Sequence, residues 1–197
     1  RRIMMMKSNY FNLIGSSLIF SFLLLNTDSA SASTYQIDPV HSSVIFKVKH
    51  AGVAYQYGLF RKLSGTITEG KPLSKSSVKI EIDAGSIFTG DKKRDSHLKS
   101  PDFLNTKQFP MITFTSSKVL MKGKSVTVTG QLSLHGVTKK VTAKLKQIGS
   151  GKGPYGKHRT GFEGSLSIKR SDYGMKGMMG VIGDQIDLIL AFEGIKQ

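Results

Sequence analysis

Apolar residues recur at every second position over most of the chain after residue 40. Val44, Phe46 and Val48 alternate with Lys47 and Lys49, and Val78, Ile80 and Ile82 with Lys79, Glu81 and Asp83. Val126, Val128, Leu132 and Leu134 alternate with Thr127, Thr129, Gln131 and Ser133. The pattern returns at Val141, Ala143 and Leu145, and again at Leu166 and Ile168. A period of two puts alternate side chains on opposite faces of a strand, one buried and one wet. Ile186–Phe192 is apolar on both sides, which predicts that part of its outer face is covered. Turn signals separate the runs: Lys122-Gly123-Lys124, the tight pair His135-Gly136, and a longer flexible loop over Gly149–Gly156. Roughly eight strands at this spacing predict an all-β sandwich or barrel.

One segment breaks the period. Residues 84–110 are mostly polar and predict a helix over Asp91–Lys99, stopped before Pro101. Ser100 suits the cap of a second turn, so helical turns are expected around residues 91–105. A polar excursion of that length inside a compact domain is usually a lid or a binding loop.

The N-terminus has a different pattern. Residues 1–7 carry three positive charges, residues 11–25 are an apolar run, and Ala30-Ser31-Ala32 follows. These are the parts of a cleavable export signal, expected to end at residue 32 and to direct the chain to the periplasm. Removing 32 from 197 leaves 165 residues, 33–197, enough for one domain with a substantial core. No linker or internal repeat divides that stretch.

Composition matters mainly for what it removes. The chain has no Cys, so no disulfide, zinc–thiolate or iron–sulfur chemistry is available to it. The predicted mature part keeps 26 basic and 12 acidic side chains, a net +14. Such a charge suits anionic partners or simple solubility; export argues against nucleic acid and leaves transient contact with an anionic membrane surface.

Catalytic templates are absent: no G-x-S-x-G, no phosphate loop, no H-E-x-x-H. No two of His41, His50, His97, His135 and His158 share a metal-ligand spacing, so no metal site is expected. An enzyme would have to gather His41, His50 and His97 by folding. Met175, Met178 and Met179 are soft enough for Cu(I), but Met among Gly more simply makes an adaptable apolar loop at a barrel mouth. Arg94-Asp95-Ser96-His97 has two open roles. It either ties a helix to the sheet, or forms a polar collar where Lys92, Lys93 and Arg94 meet an anionic head group. The inward positions and scattered phenylalanines are compatible with a filled core or a ligand pocket. Small inward residues such as Gly130 and Gly164 favour the pocket.

The residues also carry a resemblance. Tyr35-Gln36-Ile37-Asp38-Pro39-Val40-His41-Ser42, then Val44-x-Phe46-x-Val48-x-His50, resembles the opening of the YceI family of exported, lipocalin-like polyisoprenoid-binding proteins. Ser86-Ile87-x-Thr89, Arg94-Asp95-x-His97-Leu98, Phe109-Pro110-x-Ile112-Thr113-Phe114, Gly136-Val137-Thr138, Arg170-Ser171-Asp172-Tyr173-Gly174 and Gly183-Asp184-Gln185-Ile186 continue it in order, over about residues 34–195. The Met-rich loop 175–179 is not part of the family pattern.

The resemblance implies an eight-stranded antiparallel lipocalin-like barrel with an internal pocket and no enzymatic activity. The expected hydrophobic pocket is Val44, Phe46, Val48, Phe60, Ile80, Ile82, Phe103, Phe114, Leu132, Phe162 and Leu188. The expected polar rim is His50, Lys93, Arg94 and His97. The implied partner is a long-chain isoprenoid or fatty amphiphile, with no cofactor beyond a bound isoprenoid lipid or isoprenoid quinone. The chain would work as a monomer or a homodimer. Its rivals are an enzyme acting on a lipid head group and a stress-protective barrel with a filled interior.

Overall fold

The structure is a computed structural model that describes residues 32–197. The predicted leader lies outside these residues, except for its last member, Ala32.

Eleven strands form one sheet. They are β1 (Ser33–Ile37), β2 (Ser43–His50), β3 (Ala54–Phe60), β4 (Leu63–Glu69), β5 (Ser77–Asp83), β6 (Ile87–Phe88), β7 (Met111–Lys122), β8 (Ser125–Leu134), β9 (Val137–Lys152), β10 (His158–Lys169) and β11 (Ile182–Lys196). β1 and β2 lie in line along β11, and β4 and β3 lie in line beside them. β6 likewise continues the line of β5, beside β3, and counting each of these three pairs as one, eight antiparallel strands run up and down and close where β11 meets β1 and β2. Closure pairs the edges that an open sheet would leave free. The eight-stranded antiparallel barrel implied by the resemblance is therefore what the chain forms.

The alternation places the faces as read from the sequence. On β2, Val44 and Phe46 are buried while Lys47 bonds to Asp187 outside (3.4 Å) and lies over the Tyr55 ring (4.4 Å). His135-Gly136 makes the β8–β9 turn with φ of 52° and 76°, the positive values a tight hairpin needs. The helix α1 (Lys92–Leu98) starts at Asp91, whose Oδ1 accepts from the Arg94 amide (2.7 Å). Residues 101–104 form the further turns expected after the helix, and the Ser100 hydroxyl accepts from the Asp102 amide (3.4 Å).

Two expectations need correction. Gly149–Lys152 continue β9, because β10 offers them a partner across a bulge at Gly161/Phe162; only Gly153–Lys157 loop. The outer face of β11 is not covered: Ile186, Leu188 and Leu190 point inward, and Ile189 is 45% exposed.

The turns β2–β3, β8–β9, the excursion between β5 and β7, and the β10–β11 connection share one end of the barrel. We call it the mouth. The short turns β7–β8 and β9–β10 and the β4–β5 connection close the far end.

Candidate functional site: an apolar barrel cavity and its mouth

Inward side chains from nearly every strand leave a central cavity of about 170 Å³. Its wall contains Val44, Phe46, Val48, Phe60, Ile80, Ile82, Phe103, Phe114, Leu132 and Leu188, all expected from the sequence. Phe162 is the exception. It pairs with Phe192 and lines a separate recess of about 330 Å³ at the far end, with Val78, Val126 and Leu145. Ile80 borders both spaces, and Phe114, like Val78, Leu145 and Phe162, packs against both core clusters, so these side chains lie between the two spaces.

The glycines do not supply the space expected of them. A Cβ at Gly130 would sit 2.3 Å from the Thr115 carbonyl of the adjoining strand and 2.6 Å from the Phe114 ring. Gly58, not singled out in the sequence, is filled in the same way, since a Cβ there would sit 2.3 Å from the Phe46 ring. At Gly164 the obstacle is the Lys144 carbonyl of the adjoining strand, at 2.1 Å.

The excursion roofs the cavity. Leu98 from α1 and Phe103 and Leu104 from the following turns form part of the wall. Asp95 Oδ1 accepts from the Thr89 amide (2.8 Å) and hydroxyl (2.6 Å). Arg94 Nε donates to Thr89 Oγ1 (2.8 Å), and its Nη2 to the Thr89 carbonyl (2.9 Å). Of the two roles open for this group, the geometry displays the tie between helix and sheet. His50, Lys93, Arg94 and His97 nonetheless share a mouth recess of about 470 Å³ with Gln56, Tyr57 and Met178. His97 Nε2 lies 3.0 Å from Asp102 Oδ2, and its ring meets the Phe103 ring edge-on at 5.0 Å.

The polar residue that sequence reasoning did not place in the wall is Arg170. It is 1% exposed. Nε donates to the Gly183 carbonyl (2.9 Å), Nη1 to Met175 (2.9 Å) and Gly177 (2.7 Å), and Nη2 to Ile182 (2.8 Å). Burial pushes its pKa down, and the Asp184 carboxylate works against that. One guanidinium thus fixes both ends of the 174–181 loop. The loop also needs Gly177, since a Cβ there would lie 2.2 Å from the Asp102 carbonyl. Met175 is buried in the cavity wall, whereas Met178 and Met179 are exposed.

The histidines do not converge. His50 and His97 border the mouth, but His41 sits at the break between β1 and β2, its Nδ1 2.8 Å from Asp38 Oδ2. Arg159 Nη1 donates to Asp38 (2.9 Å) and to Glu193. Asp38, His41 and Glu193 offer ligand atoms within 4.8 Å of one another, yet Arg159 already supplies a cation to both carboxylates. The hydrogen bond from His41, together with Arg159, holds the Asp38 carboxyl down at about 2 against the cost of burial.

Fold and site together define a closed antiparallel β-barrel with an apolar interior that opens at one end. The model of the YceI-like domain matches residues 35–194, and the chain belongs to this family. It is 40% identical over 185 residues to a UPF0312 protein of Pseudomonas aeruginosa, covering 92% of this chain and 97% of that one. It is also 40% identical over 183 residues to protein YceI of Escherichia coli O157:H7, covering 91% and 96%. Among solved structures it resembles BcnA of Burkholderia cenocepacia (TM-score 0.72, 24% identity, 80% of this chain and 98% of that one). It also resembles the YceI protein of Campylobacter jejuni (TM-score 0.67, 29% identity, 76% and 90%). A third likeness is to a polyisoprenoid binding domain of Saccharophagus degradans implicated in plant cell wall breakdown (TM-score 0.65, 19% identity, 83% and 98%).

Proposed function

We propose that the chain is a binding protein that holds the tail of a long-chain isoprenoid, or a similar amphiphile, in the barrel and carries or sequesters it in the periplasm. The observation behind this is the cavity wall: it is apolar except for Arg170, whose donors are spent on backbone carbonyls. A tail there leaves water at about 0.8 kcal/mol per methylene. The head group stays at the mouth near His50 and Lys93. The polyisoprenoid binding described for the Saccharophagus degradans domain supports the ligand class. Binding is favoured over turnover because His41 lies away from the mouth that His50 and His97 border. Residues 1–32 are proposed as the export leader, so the exported protein should begin at or near Ser33 on N-terminal sequencing.

The size of the cavity favours a second reading, a filled structural barrel. A void of about 150 Å³ is known to take a benzene, so about 170 Å³ accepts only the end of an isoprenoid. A longer tail must displace side chains such as Phe46 and Phe60, whose rings face each other at 6.1 Å, or extend into the mouth recess. Mass spectrometry of lipid co-purified from the native host separates the readings. The carrier yields an isoprenoid, and its affinity rises with tail length in vitro. No lipid and no length dependence would establish the filled barrel. Phe46→Arg, on protein shown to be folded, should abolish binding, while Lys47→Glu on the opposite face should leave it nearly intact.

A further inference from the structure

Two turns at the mouth end in exposed apolar side chains. The β2–β3 turn passes through Ala51 and Gly52, both at positive φ, and presents Val53 at 85% exposure. The 174–181 loop presents Met178 (49%), Met179 (43%) and Val181 (40%). The turns are joined: the Ala51 amide donates to the Val181 carbonyl at 2.7 Å, and Ile182 pairs with His50. Val181 and Ile182 amides both donate to the Met178 carbonyl (2.9 and 2.8 Å), and Arg170 holds the loop from inside the barrel. These apolar tips therefore project from a braced base.

Their surroundings are basic. Lys49, Lys92, Lys93 and Lys176 are exposed near the two turns and on α1. Among the described residues, none of the four is in an ion pair within 4.0 Å. The acids nearby are engaged within the fold: Asp91 caps α1, Asp95 holds Thr89, Asp102 meets His97, and Asp184 accepts from Ser171. Apolar tips fringed by unpaired lysines are what an anionic bilayer surface attracts, since such binding combines buried apolar area with attraction to acidic lipids. A convex tip also suits a fluid interface better than the flat, close-packed patch of a protein partner. The location adds to this, because Met178 borders the recess that shares Phe46, Val48, Leu98 and Phe103 with the cavity wall.

We propose that the Val53 turn and the Met178–Val181 loop dock the barrel mouth on an anionic membrane surface, so that an isoprenoid passes between bilayer and cavity without crossing water. The transfer part rests on the lipid-binding role proposed above; the docking does not. The test is co-sedimentation of the mature chain with vesicles of phosphatidylcholine containing about 30% phosphatidylglycerol, without added isoprenoid. The native protein should bind these at least about tenfold more tightly than pure phosphatidylcholine. Val53→Glu/Met179→Glu should lose about tenfold or more on the acidic vesicles, and Lys49→Glu/Lys92→Glu should lose the preference for acidic lipid. Isoprenoid binding from detergent solution should stay within about twofold in the first variant, since neither residue lines the cavity. Native protein that ignores both vesicles, or a Val53/Met179 variant that binds like the native, overturns the docking. Vesicle binding with no isoprenoid uptake from detergent would keep the docking and overturn the carrier.

Discussion

The two ends of the barrel are held by opposite means. At the mouth, the chain leaves the sheet for the 84–110 excursion and the 170–181 connection, and side chains, with Arg170 fully buried among them, bond back to the chain to fix it. Arg170 spends its guanidinium on four carbonyls inside the wall, and Asp95 and Arg94 converge on Thr89. Away from the mouth, short turns and continuous pairing carry the structure. The main polar cluster is Asp38, His41, Arg159 and Glu193 at the break between β1 and β2. A buried cation is expensive to strand and hard to replace, whereas a partly wet ion cluster adds little. The mouth therefore has few alternatives to its observed shape, as a lid over a cavity requires, while the rest of the wall depends on its strands.

The sharpest way to break this contrast is Arg170→Met. It leaves four carbonyls without their shared donor and should cost about 3–5 kcal/mol. The loss should show as a lower urea midpoint together with faster proteolysis within 174–181. Stability close to native would mean that the strands alone hold the mouth.

A second variant examines the division between the cavity and the far recess. Phe114 packs against both core clusters and is half-buried, so Phe114→Ala should cost about 2–3 kcal/mol. It should also join the two spaces, and competition binding should then favour longer isoprenoid tails relative to short ones. An unchanged preference would mean that Ile80, Val78, Leu145 and Phe162 keep the two spaces apart without Phe114.

The same contrast explains what could be seen in the sequence. Strand faces follow a local period of two, so Val44, Phe46, Ile80, Ile82 and Leu132 could be placed inside before any pairing was known. Phe162 also faces inward, but its height along the barrel depends on pairing with Phe192, 30 residues away, and no local pattern encodes that. Gly130 and Gly164 read as room for a ligand because a sequence shows the missing side chain and not the carbonyl of the adjoining strand, or the ring, that occupies its place. Arg170 was hidden for a related reason. Its acceptors are backbone carbonyls of residues 175–183, which carry no residue-type signal. The helix start at Asp91 and the His135-Gly136 turn were legible because helix ends and tight turns are chosen by the residues that form them.

The smallest predicted effect belongs to the ion cluster, and it has a pH signature. The folded state holds the Asp38 carboxyl at about 2, below its ordinary 3.8, chiefly through the His41 hydrogen bond. A carboxyl with a depressed folded-state pKa adds stability that is fully present above its unfolded value. That stability is lost as pH falls toward the folded value. Asp38→Asn should therefore lower stability at pH 7 by an amount on the order of 1 kcal/mol, after allowing for solvent around Arg159 and Glu193. The gap between native and variant should stay constant down to about pH 5, then close between about pH 4 and 2. Asp184 and Asp187 are also held below their ordinary values, by Ser171 and by Gln185 with Ser167, so the native curve falls for several reasons at once. The difference between the two urea-midpoint curves isolates Asp38. A gap that persists unchanged to pH 2 would mean that the variant loses stability because an amide NH2 fits poorly beside His41 and Arg159, and not through the loss of the Asp38 charge.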